Sequence, residues 1–500
     1  MTLTVAHAAR YHVPMPTSSA GKSPLDQLLN IFAEVRAGEG RQLLLLLVNI
    51  FAILFAYYIL KPVREGLLSG GVFGLSGTDS KVVLTALSAG LLLFVIPLYS
   101  MLVDRLSRIR LLNVSMGFVL VSLVAFFILG RAEVNVGGAY YLWLSIVNVF
   151  LIAQFWSYAN DLYTEEAGKR LFAVIAIGMS GGAIAGSYAT TLYEGSILWL
   201  LLGAGGILVI ATLLYNIVDW QSDEEAPDDP EVLPDADNAD EPTPVKDKSG
   251  AFKLIFSSKY LFLIAAMILL TNVVNTSGEF ILFRAADAYS KVQHPDSEFA
   301  HIADQEARKE AVKKARRPVI TKFYGDFFFW VNLIGFLVQA FLVSRIFKFI
   351  GIRAALFILP VIAFGGYALI ALLGIGIVRY AKIAENSTDY SLQNTVKQAL
   401  WLPTTREEKY KAKAAIDTFF VRGGDLLAAG VTLALTGWFG FGLKGFAAVN
   451  VGFVALWLIV TVAIAREHKK ISKDEEPTPA EKPELAKAIA LENDDEDNDE

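Results

Sequence analysis

The chain has 500 residues, 54% of them hydrophobic, with a mean hydropathy of +0.47 and a formal net charge of −6. So apolar a composition excludes a single soluble globule. The absence of cysteine excludes disulfides and thiolate metal sites, and the five histidines (His7, His12, His294, His301 and His468) form no metal-ligand spacing.

The first forty residues carry no charged-then-apolar signal sequence, so the first apolar span is expected to target the chain to the membrane. Pro16–Ser23 ends in Gly-Lys-Ser, but proline stands where a phosphate-binding loop needs its first glycine. No GxGxxG opens a βα unit either, so no ATP-hydrolysing engine is expected. From there on, apolar windows of about 20 residues, long enough to cross a bilayer as helices, recur roughly twelve times. Six lie near 42–61, 81–103, 111–130, 139–161, 170–192 and 197–218. Six more lie near 259–284, 324–346, 353–375, 377–401, 411–437 and 443–465.

Two acidic, proline-containing stretches, Asp219–Glu241 and Asp474–Glu500, bury too little apolar surface to fold and read as a solvated linker and tail. The expected layout is therefore an N-terminal segment 1–41, a six-helix bundle 42–218, a linker 219–258, a second bundle 259–466 and a disordered tail 467–500. Basic residues set the orientation. Arg36 and Arg41, Arg108 and Arg110, Lys169 and Arg170, Lys253, Arg345 and Lys348, Lys409 and Lys411, and Lys469 and Lys470 all fall in loops on one side. The positive-inside rule puts that side, both termini and the linker in the cytoplasm. The segment 285–323, expected outside, is itself rich in Lys and Arg and is read as a loop with a short amphipathic surface helix.

The halves resemble each other. Val103–Arg110 lies between spans two and three, and Val343–Arg353 occupies the matching place between spans eight and nine. Gly181-Gly182 in span five matches Gly423-Gly424 in span eleven, at an offset of about 240 residues in both cases. The fold class expected is thus an all-α integral membrane protein, major-facilitator-like, with two pseudo-symmetric six-helix bundles and its site at midplane. Gly178, Gly182 and Gly186 recur every four residues, a pattern that lets helices approach closely.

Charges inside these spans are the candidate site. A charge in hydrocarbon costs about 2.5 kcal/mol at the least, so many of them require a hydrated cavity or one another. In span one, Tyr57, Lys61 and Arg64 share a face, with Pro62 between the two cations. In span seven, Asn275, Glu279 and Arg284 interrupt apolar sequence. In span ten, Lys382, Glu385, Asn386, Asp389, Gln393 and Lys397 fall within about 120° of one face, with Tyr390 at its border. Internal pairing, as of Lys382 with Glu385, is the other reading of that stripe. In span eleven, Lys413 and Asp417 share a face, and Arg422 and Asp425 are spaced for an ion pair. Arginine and lysine suit phosphate or carboxylate groups, which points to a polar path for an anionic solute. The reading requires Arg64, Lys397 and Lys413 to converge on one chamber.

Three stretches carry a family resemblance: Tyr58–Glu65; Phe155–Asn160 running on to Ala167–Arg170; and Leu402-Pro403 with Lys409–Asp417. They resemble the ATP/ADP translocases of bacteria and plastids, and with the repeat the similarity covers most of 42–466. That resemblance implies exchange of a nucleoside triphosphate for a diphosphate, or of related phosphorylated anions, by alternating access. Carried over by position, it marks Arg64, the adjacent Lys61, and Lys413 with Asp417; with Lys397 of the span-ten stripe, Lys61, Arg64 and Lys413 are then expected to hold phosphates. Trp156, Tyr158 or Tyr390 would stack a base, with Asn160 and Gln393 as further contacts. Glu279, Glu385, Asp389 and Asp417 would balance charge or couple transport. No acidic residue stands between Tyr140 and Tyr158, where the adenylate exchangers lead one to expect a carboxylate. The alternative is a proton-coupled transporter of another small organic solute, with Glu279 or Glu385 titrating. No constellation of paired aspartates or histidines suggests an enzyme. The partners expected are a small anionic substrate and the lipid bilayer, with no cofactor, metal or nucleic acid. The carrier is expected to be monomeric, in the bacterial cytoplasmic (inner) membrane.

Overall fold

The computed structural model describes residues 23–30, 34–103, 106–224, 248–405 and 408–474. The Gly-Lys-Ser stretch up to Lys22, most of the acidic linker, Asp104 and Arg105, and the acidic tail beyond Asp474 lie outside them.

Apolar runs of membrane length fold as helices because no other local structure pairs every backbone amide in hydrocarbon. The first half holds α1 (Glu39–Leu68), α2 (Gly77–Val103), α3 (Arg108–Arg131), α4 (Gly137–Leu162), α5 (Glu165–Leu192) and α6 (Ile197–Glu224). The second holds α7 (Lys259–Gln293), α8 (Gln305–Leu337), α9 (Ile358–Leu373), α10 (Val378–Thr388), α11 (Val421–Gly437) and α12 (Leu443–Asp474). Among the described residues nine helical segments are long and apolar enough to cross a membrane, and α9 is a shorter apolar helix. The chain is an integral membrane protein.

The two halves repeat one packing scheme. Helix α1 packs on α5 and α6, as α7 packs on α11 and α12. Between the halves α8 packs on α5 and α11 on α2, the same contact related by the pseudo-two-fold; α8 also packs on α1. The glycine pattern explains the closeness of α1 and α5. A Cβ on Gly178, Gly182 or Gly186 would stand 2.6, 2.3 and 2.3 Å from the carbonyl oxygens of Leu47, Phe51 and Phe55. Gly424 does the same for α11, where a Cβ would lie 2.9 Å from Leu269 O on α7. Both glycine pairs therefore seat a helix on the first helix of its own half.

Residues 285–323 differ from the expectation. The only separate helical piece among these described residues is a single 3-10 turn, Asp296–Phe299. Around it α7 runs on to Gln293 and α8 begins at Gln305, so the segment forms one long helical hairpin. Polar residues propagate a helix once a span has nucleated it, and Arg316 fastens the turn by donating to His294 O and Asp296 Oδ1. In the second half, α8 passes into a π-helical turn at Val338–Leu342, and α10 into another at Asp389–Gln393 before Asn394–Ala399. Two more π turns, Glu408–Ala412 and Ile416–Phe420, flank the short helical piece Lys413–Ala415 that precedes α11. Such turns concentrate at functional positions because they rotate the following side chains around the helix.

Candidate functional site

Helix α1 continues through Pro62 although proline removes one helical amide. Tyr140 of α4 braces this stretch by donating its hydroxyl to Leu60 O at 3.3 Å. The face of α1 turned to the second half then carries Tyr57, Lys61 and Arg64.

Lys61 Nζ lies inside a ring of aromatic side chains. It stands 4.0 Å from the ring centre of Phe328, 5.3 Å from Tyr58, and 5.9 Å from Tyr57 and from Tyr390. Two of those rings belong to α1 and two to the second half. Among the described residues no carboxylate lies within ion-pair distance of Lys61. The ring faces supply the nearest negative potential that the ammonium meets, while Glu279 and Glu65, both engaged by Lys81, act on it from beyond ion-pair distance.

Arg64 is not free in the same way. Its Nε and Nη2 both donate to Glu65 Oε1, at 3.0 and 2.6 Å, and the guanidinium lies 4.6 Å over the Tyr141 ring. Lys81 of α2 holds the other oxygen of Glu65 at 3.0 Å and donates to Tyr324 Oη at 3.3 Å. It also reaches Glu279 of α7 at 3.8 Å, so one ion pair crosses between the halves. Glu279 in turn accepts from Asn386 Nδ2 at 3.2 Å. Behind it Lys382, fully buried, pairs with Glu385 at 3.1 Å, and Tyr367 donates to Glu385 Oε2 at 2.9 Å. Gly278 makes room for this cluster, since a Cβ there would lie 2.7 Å from Lys382 Nζ.

Four cations (Lys61, Arg64, Lys81 and Lys382) therefore face three carboxylates (Glu65, Glu279 and Glu385). The positive charge left over is that of Lys61. A cavity of about 100 Å³ adjoins the network, lined by Arg64, Lys81, Val82, Thr85, Tyr141, Thr276, Glu279, Phe280, Ala429 and Thr432. It has room for a few water molecules, at about 30 Å³ each.

The other expected site residues distribute unevenly. Lys397 pairs with Asp389 at 3.2 Å, brought within reach by the π turn between them. Lys413 donates to Gln398 at 2.7 Å, and Asp417 is exposed. Arg422 pairs with Asp425 at 3.2 Å. Arg64 thus lines the cavity, whereas Lys397 and Lys413 occupy local pairs outside it. The convergence involves Lys81 and Glu65 instead. Gln393 is buried with both amide atoms unpartnered, next to the exposed ring of Tyr390. The fourth-span residues do not reach the site. Tyr158 is buried inside the first half, edge-on to Tyr215 and donating to Tyr215 O. Trp156 packs on Phe155 and Phe172, and Asn160 is exposed near the end of α4. Aromatic residues of a span are as useful for packing as for stacking a ligand, and here packing wins.

Lys81 escapes a reading of the sequence because it stands at the first position of its apolar window, where a lysine reads as a headgroup anchor. The helix starts one turn earlier, at Gly77, which carries Lys81 inward. Tyr324 is hidden the same way at the start of the eighth window.

The closed part of the seam lies at one end. Thr321 faces Gly66, Gly325 faces Thr190, and Asn332 donates to Ser187 Oγ at 3.3 Å. Val82 and Thr85 meet Ala429 and Thr432 around the cavity. Every one of these contacts lies at midspan or towards the hairpin. Towards the opposite end Lys397 and Lys413 are half-buried, and Tyr390 and Asp417 are exposed.

No family model matches the chain. It is 23% identical over 365 residues to "ADP,ATP carrier protein 1" of Chlamydia pneumoniae, a match covering 62% of this chain and 63% of that protein. The protein of the same name from Chlamydia trachomatis is 23% identical over 390 residues, covering 69% of this chain and 66% of that one. The chain is similar to these ADP,ATP carrier proteins. The match thus spans just under two thirds of the length of these relatives. Among solved structures, a mutant of the nucleoside transporter NupG superposes with a TM-score of 0.57 at 15% identity, covering 85% of this chain and 99% of that one. A POT family transporter in complex with 5-aminolevulinic acid superposes at 0.54 and 13% identity, covering 86% and 96%. The fold is that of these solved structures.

Proposed function

We propose that the chain is a secondary transporter that exchanges nucleotides of the ATP/ADP type, or related phosphorylated anions, by alternating access. The observation that carries this reading is Lys61, a half-buried ammonium between the halves with aromatic rings around it and, among the described residues, no carboxylate within ion-pair distance. An ammonium so placed favours a ligand that brings negative charge and a π face together. Similarity to the ADP,ATP carrier proteins supports the same substrate class.

In this reading Lys61 takes a phosphate, with Arg64 and Lys81 strengthening the field from behind their shared Glu65. Lys413 and Lys397 meet the anion along the opposite, more accessible end, and Tyr390 with Gln393 contacts the base. Glu279 balances Lys81 while the site is empty, and Glu385, Asp389 and Asp417 neutralise neighbouring cations. A cavity of about 100 Å³ is too small for a nucleotide, since ligand pockets run to roughly 300–1,000 Å³. The seam must therefore open to load. With both termini in the cytoplasm, as the basic loops indicate, the closed end faces outward, and the conformation is the inward-facing one of a monomeric carrier in the bacterial cytoplasmic membrane.

The test is exchange in proteoliposomes. Labelled ATP should enter only vesicles preloaded with nucleotide, and an imposed pH gradient should not replace the internal nucleotide. Uptake into empty vesicles driven by that gradient would instead identify a proton-coupled carrier.

A further inference from the structure

One face of α8 runs from the hairpin to the aromatic ring about Lys61. It carries Lys313, Arg317, Thr321, Tyr324 and Phe328 at spacings of three and four residues. The lower part of this face is occupied: Phe328 meets Lys61, Tyr324 meets Lys81, and Thr321 presses on Gly66. The upper two residues are cations standing over Gly70, just past the carboxyl end of α1. A Cβ on Gly70 would lie 3.2 Å from Arg317 Nη2 and 3.6 Å from Lys313 Cδ.

These two side chains are poorly neutralised. Glu310 is 3.9 Å from each, at the limit of an ion pair, and Arg317 Nε is buried with no hydrogen-bond partner. Lys309, one turn further out, is already paired with Glu306 at 2.7 Å. The partial negative charge at the carboxyl end of α1 is what Lys313 and Arg317 face while the seam is closed. Once the seam parts at this end they lose it, and two cations are left with one distant carboxylate.

We propose that Lys313 and Arg317 form a receiving site for phosphate groups at the hairpin end of the path, occupied before the anion reaches Lys61. Arginine offers a bidentate fork and lysine a point charge, the pair of contacts that a terminal phosphate takes. In the closed conformation the end of α1 stands in for that anion. The proposal rests on the transport reading for its place in a cycle, but the anion site itself does not.

The chain has no cysteine, so Ser69→Cys, beside Gly70, introduces a sole thiol. A second reporter, Phe73→Cys, sits on the same turn at 78% exposure and serves if the first is unreactive. Each is reacted in purely zwitterionic vesicles with an anionic and a cationic methanethiosulfonate reagent. We expect the anionic reagent to be favoured, and the ratio of rates to fall about tenfold when K313Q and R317Q are added. Pyrophosphate should slow the anionic reagent in the parent and not in the doubly neutralised variant. If it does so only when anionic lipid is left out, headgroup and free phosphate share the site. A ratio unchanged by the double substitution, or protection that persists in it, overturns the proposal. In exchange assays the same double substitution should raise KM several-fold for nucleotide offered at the hairpin face and leave KM at the other face unchanged. Absence of any nucleotide exchange by the unaltered chain would defeat the transport reading, while the thiol assay would still decide the anion site.

Discussion

Lys61 Nζ lies 4.0 Å from the ring centre of Phe328, a residue of the opposite half, and has no acidic partner among the described residues. A cation with no carboxylate at ion-pair distance can be removed without breaking a direct ion pair. Lys61→Gln should therefore fold normally, with a melting temperature in detergent within a few degrees of the parent. Exchange should fall at least about 100-fold, the effect of losing a charge-assisted contact of roughly 3 kcal/mol. Normal exchange by the variant would remove Lys61 from the path.

Lys81 behaves oppositely. It holds Glu65 at 3.0 Å and Glu279 at 3.8 Å, and its loss leaves buried Glu65 and half-buried Glu279 short of a partner. Breaking a buried pair from one side costs about 3–5 kcal/mol. Lys81→Gln should melt well below Lys61→Gln in the same detergent. Adding Glu279→Gln should recover part of the difference, because the pair across the seam is then gone from both sides. Equal melting of the two lysine variants would show that Lys81 is not the strut proposed.

Gly182 tests the helix contact. A Cβ would stand 2.3 Å from Phe51 O, a backbone atom that cannot swing away. Gly182→Val should force α5 off α1 and abolish folded protein on gel filtration. Gly203→Val is the control, because nothing lies within 4 Å of a Cβ there. Comparable yields of the two variants would contradict the packing.

Asp26 offers a pH test outside the membrane. Burial of its carboxyl works against ionisation, yet the hydrogen bonds from Ser23 and from the Gly38 and Gly40 amides hold it below its ordinary value of 3.8. A depressed folded value means stability that is complete above about 3.8 and is lost as pH falls further, through the folded value. Asp26→Asn should lower the melting temperature at pH 7 and flatten its decline between pH 4 and pH 3. A parallel decline in both proteins would exclude the carboxylate as its source.

The apolar windows, the basic loops and the paired glycines are legible in the sequence because each depends on a local quantity. The cost of a polar residue in hydrocarbon, and the spacing that puts glycines on one helix face, act residue by residue. So the recurring apolar spans, the repeat and the presence of charge within the spans at Lys61, Glu279 and Lys382 follow from the chain alone. Which charges neutralise which is decided only by how the helices meet. Arg64 is taken up by its sequence neighbour Glu65, Lys397 is turned onto Asp389 by a π-helical turn, and Lys81 enters because α2 starts one turn early. An ion pair falls off over a few ångströms, less than the uncertainty of any span boundary read from hydropathy. The tertiary structure therefore chose Lys61 as the cation left unpaired, by setting Phe328 and Tyr390 around it where a carboxylate would otherwise have gone.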